Sequence, residues 1–236
     1  MILQLQEEIV RGPEDHPDFG KTLFVRPSVE TPRQNRLASQ AIVITAVARR
    51  LIELSREGVK LKAVLVEAGD LDATEHPEFN AISENLRELV NKHFNKAKLV
   101  LLSEQPNLDR AQARHAVTLY DLPILRLDAG TKKTFQALTG DGGDTFKNRV
   151  EAMARLETER LIVETRFVKA PADNSGDVEL RHWLKHLGDI RPAKVRIFTP
   201  PKPVGKTLKP IPKTRIGQIA EMVNEKIGVP VEVLAG

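Results

Sequence analysis

Residues 124–128 read Ile-Leu-Arg-Leu-Asp, and residues 163–168 read Val-Glu-Thr-Arg-Phe-Val. Both are short runs in which apolar and charged side chains alternate, the period-two signature of strands with two unlike faces. Leu125 and Leu127 share one face, with Arg126 and Asp128 opposite; Val163 and Phe167 likewise oppose Glu164 and Arg166. The apolar faces are expected to pack on helices. The charged faces then point inward, with Glu67 and Arg196 as neighbours near the carboxyl ends of their own strands. A buried charge is costly unless paired or liganded, so Glu67, Arg126, Asp128, Glu164, Arg166 and Arg196 form either an internal ion network or the floor of a polar pocket for an anionic ligand.

Working outward, comparable runs occur at 22–26, 62–67, 98–102, 161–168, 194–199 and 231–234. Helical patterns fill the gaps at 36–56, 77–94, 108–120, 145–156, 178–187 and 214–226, with Asp109 and Asp177 as start signals. Strands alternating with helices predict βαβ units and a parallel sheet, open or rolled into an incomplete barrel. One α/β domain over residues 1–236 is expected, with 1–20 as an N-terminal extension and 200–213 as a basic Pro/Lys loop. No internal repeat is evident.

The composition, 41% hydrophobic and 29% charged, is that of a globular chain with a core built from Val, Ile, Leu and Ala, because aromatics make up only 4%. No apolar run reaches the ~18 to 20 residues that span a bilayer, and the start lacks a signal-type stretch, so a cytoplasmic location is expected. There is no cysteine, which excludes disulfides, Cys-ligated zinc and thiolate-held iron–sulfur clusters.

Several stretches together carry a family likeness. Residues 127–135 (LDAGTKKTF), 163–174 (VETRFVKAPADN), 190–199 (IRPAKVRIFT) and 228–234 (GVPVEVL), with 76–79 (HPEF) and 98–102 (KLVLL), resemble radical SAM core domains of the small stand-alone branch. The resemblance implies a partial TIM-type (β/α)6 barrel with parallel strands and outer helices. It also implies a Cys-x3-Cys-x2-Cys loop after the first strand to hold a [4Fe–4S] cluster. The corresponding positions here fall on Thr31, Asn35 and Ala38. The SAM-binding Gly-rich strand end reads Ala68-Gly69-Asp70-Leu71-Asp72-Ala73-Thr74: Gly69, Asp72 and Thr74 stand in register, while Asp70 and Leu71 replace glycines whose backbone approaches the ligand. Both halves of the radical chemistry are expected to be lost.

Other constellations have plainer readings. His182 and His186, four apart on a helix, could share a metal, but no third ligand accompanies them, and a polar face opposite Trp183, Leu184 and Leu187 accounts for both. The turn 139–144 (TGDGGD) lacks the Lys-Ser/Thr of a P-loop and the closing glutamate of an EF-hand, and helix capping explains its residues. Between Arg191 and Arg215 stand eight basic residues and no acidic one, among them Lys202, Lys206, Lys209 and Lys213. This stretch is either a solvated loop or a contact for a polyanion or an acidic protein; with Phe198 its only aromatic, base stacking is not expected.

The sequence therefore predicts a degenerate, non-catalytic radical SAM-like domain acting as a binding or scaffold subunit, with no metal and no cofactor beyond a surviving affinity for SAM. Its alternatives are a barrel repurposed for a small anionic ligand, SAM or a nucleotide included, or for a cluster-independent reaction, and a polyanion binder acting through the basic loop. A protein partner is expected, nucleic acid is an open alternative, and a membrane is not expected.

Overall fold

The computed structural model describes residues 2–31, 36–203 and 208–234. Asn35 and Lys206 lie outside the described residues. Two compact units divide the chain between Ile124 and Leu125.

The first unit runs α1 (Ile2–Ile9), β1 (Val10–His16), β2 (Gly20–Val25), β3 (Glu30–Thr31), β4 (Arg36–Leu37), α2 (Gln40–Arg56), β5 (Ala63–Val66), α3 (Phe79–His93), β6 (Lys98–Ser103), α4 (Ala111–Thr118) and into β7 (Leu122–Arg126). Its sheet order is β1-β2-β5-β6-β7. β1 is antiparallel to β2, whereas β2, β5 and β6 are parallel. All four residues of β5, Ala-Val-Leu-Val, are buried, as expected of a parallel strand covered on both faces. Helix α2 turns Val43, Val47, Leu51 and Leu54 inward at helical spacing and packs on α3.

The second unit takes up the end of β7 and continues with α5 (Lys132–Thr139), α6 (Gly143–Ala154), β8 (Ile162–Arg166), β9 (Val168–Ala170), α7 (Asp177–Ile190), β10 (Lys194–Phe198), β11 (Lys209–Pro210), α8 (Lys213–Lys226) and β12 (Val231–Val233). Its order is β7-β8-β10-β12, with β8, β10 and β12 parallel. Helix α7 sits tightly on the start of α5: a Cβ on Gly130 would overlap the Glu179 carbonyl oxygen and lie 2.6 Å from Trp183 N, so only glycine fits there.

Several boundaries differ from the sequence reading. The helix expected over 36–56 begins at Gln40, because Arg36 and Leu37 pair with Glu30 and Thr31 in the β3–β4 hairpin. The third expected helix starts at Ala111 with Arg110 as its N-cap, so Asp109 is not a cap. Asp177 lies inside the first turn of α7, after the Gly176 N-cap, where its charge favours the helix dipole. The strand expected over 161–168 breaks after Arg166. Asn174 causes the break: its amide oxygen accepts from Val168 N (2.8 Å) while its NH2 donates to Asp128 O (2.7 Å) and Arg166 O (2.8 Å). The segment 200–213 is not wholly extended loop, since Lys209–Pro210 pair with β9 and Lys213 opens α8.

Candidate functional site

In the first unit, the stretch after β5 is a bonded hub. The Asp72 carboxylate accepts from Thr74 N (3.0 Å), Thr74 Oγ1 (2.7 Å), Ser103 Oγ (2.8 Å) and Gln105 N (3.0 Å). Thr74 Oγ1 in turn accepts from Asn107 N (2.8 Å), so the ends of β5 and β6 are stapled through two side chains. Gly69 is needed for a protein contact: a Cβ there would lie 2.7 Å from the Ser28 carbonyl. The Asp70 carboxylate accepts from Glu30 N (2.7 Å), and Leu71 is 46% exposed.

The loop after β2 closes against this hub. Ser28 O accepts from Asp70 N (2.9 Å), and Ser28 Oγ donates to Asp72 O (3.0 Å). Thr31 Oγ1 donates to Arg36 O (3.0 Å) across the hairpin. Ala38 is fully buried, donates its N–H to Val29 O and is tied through its carbonyl to His76 Nε2 (2.9 Å). A hydroxyl held by a backbone carbonyl and a buried methyl group are not ligands for iron. Thr31 and Ala38 therefore do not fit a cluster. Glu67, which the strand pattern places with the arginines of β7, β8 and β10, instead pairs with Arg26 at 2.8 Å.

The second unit brings the other predicted charges into a network. Arg126 Nη2 lies 2.8 Å from Glu164 Oε1, and Arg196 Nη1 reaches Glu164 Oε2 at 3.8 Å. All three side chains are more than nine-tenths buried. Arg196 Nε also faces the half-exposed Glu232 at 3.7 Å, which Lys194 Nζ meets at 3.2 Å. Asp128 holds Arg166 twice, accepting from its backbone N–H (2.7 Å) and facing Nη2 at 3.2 Å. The register of the parallel strands β8, β10 and β12 aligns Glu164, Arg196 and Glu232, and Arg126 reaches Glu164 from β7, the next strand in the order.

His182 and His186 line a cavity of about 430 Å³ together with Gly130, Phe146, Glu151 and Asp189. His186 Nε2 is 2.9 Å from Gly130 O, and its ring meets the edge of Phe146. Burial holds its pKa below the ordinary 6.5, helped by His182 and Lys185 and opposed by the Gly130 carbonyl and Asp189. Among the described residues, no group of three or more His, Cys, Asp or Glu is placed to hold a metal ion. The 139–144 turn joins α5 to α6: Gly140 is the left-handed cap of the first (φ +81°), and Gly142 is the N-cap of the second. A further cavity of about 620 Å³ opens between the end of β10, β11, the start of α8 and β12. Of the described basic-loop lysines, Lys213 lines it, and Lys202 and Lys209 adjoin lining prolines.

Sequence reasoning missed Glu179, Ser103 and Asn174. Glu179 accepts from Gly130 N (2.6 Å), Thr131 N (2.8 Å) and Thr131 Oγ1 (2.9 Å), so a residue on α7 secures the start of α5. None of these carries a local signal, because each partner is 31 or more residues away except within the Asn174 bend.

No protein-family model matches the sequence, and no curated protein does. Solved structures match by fold. Streptococcus suis SuiB bound to the precursor peptide SuiA superposes with a TM-score of 0.64 at 13% identity, over 99% of this chain and 52% of that one. A radical SAM methyltransferase from Sphaerobacter thermophilus gives 0.57 at 12% identity, over 93% of this chain and 67% of that one. The chain thus spans about half the length of SuiB. The mostly parallel eight-stranded α/β fold is that of the radical SAM partial barrels, in a chain without cysteine. Among the described residues, no helix is long and apolar enough to cross a membrane.

Proposed function

We propose that this chain is a radical SAM-fold domain that works without a cluster, as a binding module for a polypeptide partner. The observation that carries this reading is the absence of cysteine from all 236 residues, because three thiolates anchor the cluster that the chemistry requires. Support comes from the two tested positions of the cluster loop, a tied hydroxyl and a buried methyl. The Gly69–Thr74 stretch adds to it, since Asp72 and Thr74 bond to other protein groups there. That SuiB is bound to a peptide speaks for a polypeptide as the class of partner.

Anaerobic reconstitution with ferrous iron and sulfide, followed by desalting, tests the first half. The expected result is iron far below one atom per chain and no reductive cleavage of SAM. Stoichiometric iron, or SAM cleavage, overturns the reading.

A small anionic ligand is the second reading, favoured by the sharing of one buried carboxylate, Glu164, between two buried guanidinium groups. A ligand that binds only the folded state raises its melting temperature. Saturable stabilisation by phosphate, SAM or a nucleotide that disappears in Arg196→Gln would support this site. Equal melting curves with and without each of them count against it.

A further inference from the structure

β12 ends the strand order of the second unit, and β10 is its pairing partner. The pairing bonds Val195 N to Pro230 O and Leu234 N to Ile197 O, both at 2.9 Å. Backbone groups alternate sides along a strand, so the N–H and C=O of Val231 and Val233 face outward, where they form a template for one more strand. Val233 is also 51% exposed, one of few large apolar side chains so placed among the described residues.

Beside this edge lies the 620 Å³ cavity, whose walls include Thr199, Pro210, Ile211, Ile216, Val233 and Leu234. Its described lining residues are mostly apolar and include no acidic residue. The basic side chains around it share one sign: Lys213 lines the cavity, Lys202 follows Pro201, and Lys209 precedes Pro210. All three are exposed and have no ion-pair partner among the described residues. The neighbouring cations Lys194 and Arg215 differ, being paired with Glu232 and Asp177.

Resting on the binding-module reading, we infer that β12 and this cavity dock an extended acidic peptide segment of a partner protein. The segment adds a strand along Val231–Val233, seats one apolar side chain against Ile211, Ile216 and Leu234, and presents carboxylates to Lys202, Lys209 and Lys213. Main-chain bonds at an open sheet edge give the affinity of such strand addition, and side-chain pockets give its specificity. Charge complementarity selects an acidic strand over a neutral one. The described lining residues include no aromatic side chain, so bases of a nucleic acid would find no stacking surface on them.

The experiment is selection from a displayed random dodecapeptide library on the intact chain, followed by fluorescence-polarisation titration of the winners. Three variants separate the contributions. Val233→Pro removes an outward N–H while leaving the bonds to β10 intact. Lys209→Glu/Lys213→Glu reverses the rim charge; an acidic residue in the first turn of α8 suits the helix dipole, so this variant is expected to fold. Val233→Thr keeps the strand and its N–H and serves as the conservative control.

The expected winners carry Asp or Glu flanking an apolar residue. They should bind at least tenfold more weakly to Val233→Pro and to the charge-reversed pair, and within twofold of wild type to Val233→Thr. Winners that bind all variants equally overturn this site while leaving the binding-module reading standing. No enrichment at all removes the peptide partner and takes the binding-module reading with it. Binding of single-stranded oligonucleotide that is lost in the charge-reversed pair and unaffected by Val233→Pro, without peptide binding, overturns the inference in favour of a polyanion.

Discussion

At the scale of single residues, Asp72 is the centre of the hub that follows β5. Its carboxylate accepts from four groups and joins two strand ends. Asp72→Ala leaves Thr74 N, Ser103 Oγ and Gln105 N in need of partners, and one buried unsatisfied group alone costs about 1–3 kcal/mol. We expect a loss of about 3 kcal/mol in urea unfolding; a loss below about 1 kcal/mol would mean that water replaces the carboxylate. His186 offers a second test at this scale. Its folded pKa lies below its unfolded value near 6.5, so the folded state binds fewer protons. The stability it contributes is present above about pH 6.5 and is lost as pH falls through the window beneath it. His186→Gln should flatten the fall in melting temperature between about pH 7 and pH 5, and an unchanged slope would assign that fall to other groups.

At the scale of elements, the strands of the sheet were legible because parallel strands are continuous apolar runs, β5 most of all. Among the elements that were not, β1 and α5 show the physical reason most clearly. β1 reads Val-Arg-Gly-Pro-Glu-Asp-His, without alternation, and its Pro is tolerated because the strand lies at a sheet edge. α5 is eight residues long and its first turn is secured by Glu179 from a distant helix, so no local pattern announces it. The charges that pair between β7 and β8, Arg126 with Glu164 and Asp128 with Arg166, are those that alternation puts on one face, whereas the pairing of Glu67 with Arg26 was not legible, because partner choice is set by register. Position within the strand set also decides energy. Glu164→Gln removes a charge shared by two buried guanidinium groups and should cost about 3–5 kcal/mol. Glu232→Gln, one strand farther out and half-exposed, should cost under about 1 kcal/mol. Equal costs in thermal melts of the two variants would show that burial does not govern this network.

At the scale of the whole molecule, the absence of thiolates was legible from composition alone, and the fold from the order of short resembling stretches. The 620 Å³ cavity was not. Its walls come from the end of β10, from β11, from α8 and from β12, segments that sequence spacing gives no reason to assemble. Pairing of β11 with β9 is what holds Pro210 in this wall, and that pairing spans only two residues of β11. The basic run from Arg191 to Arg215 was visible as charge, but the sequence did not show which cations are already paired.

The open edge has one more consequence, for the chain in the company of its own copies. An unpaired strand end beside an apolar hollow invites self-association, and natural proteins guard such edges with lysine. Here Lys202, Lys209 and Lys213 would face one another across any edge-to-edge dimer, so the charges that favour an acidic partner also keep identical chains apart. That guard weakens with ionic strength, since screening shortens from about 30 Å at 0.01 M salt to about 3 Å at 1 M. Sedimentation velocity across that range should show self-association rising with salt, and Val233→Pro should abolish the rise. A monomer at every salt concentration would mean that the edge is sheltered by geometry, without need of its lysines.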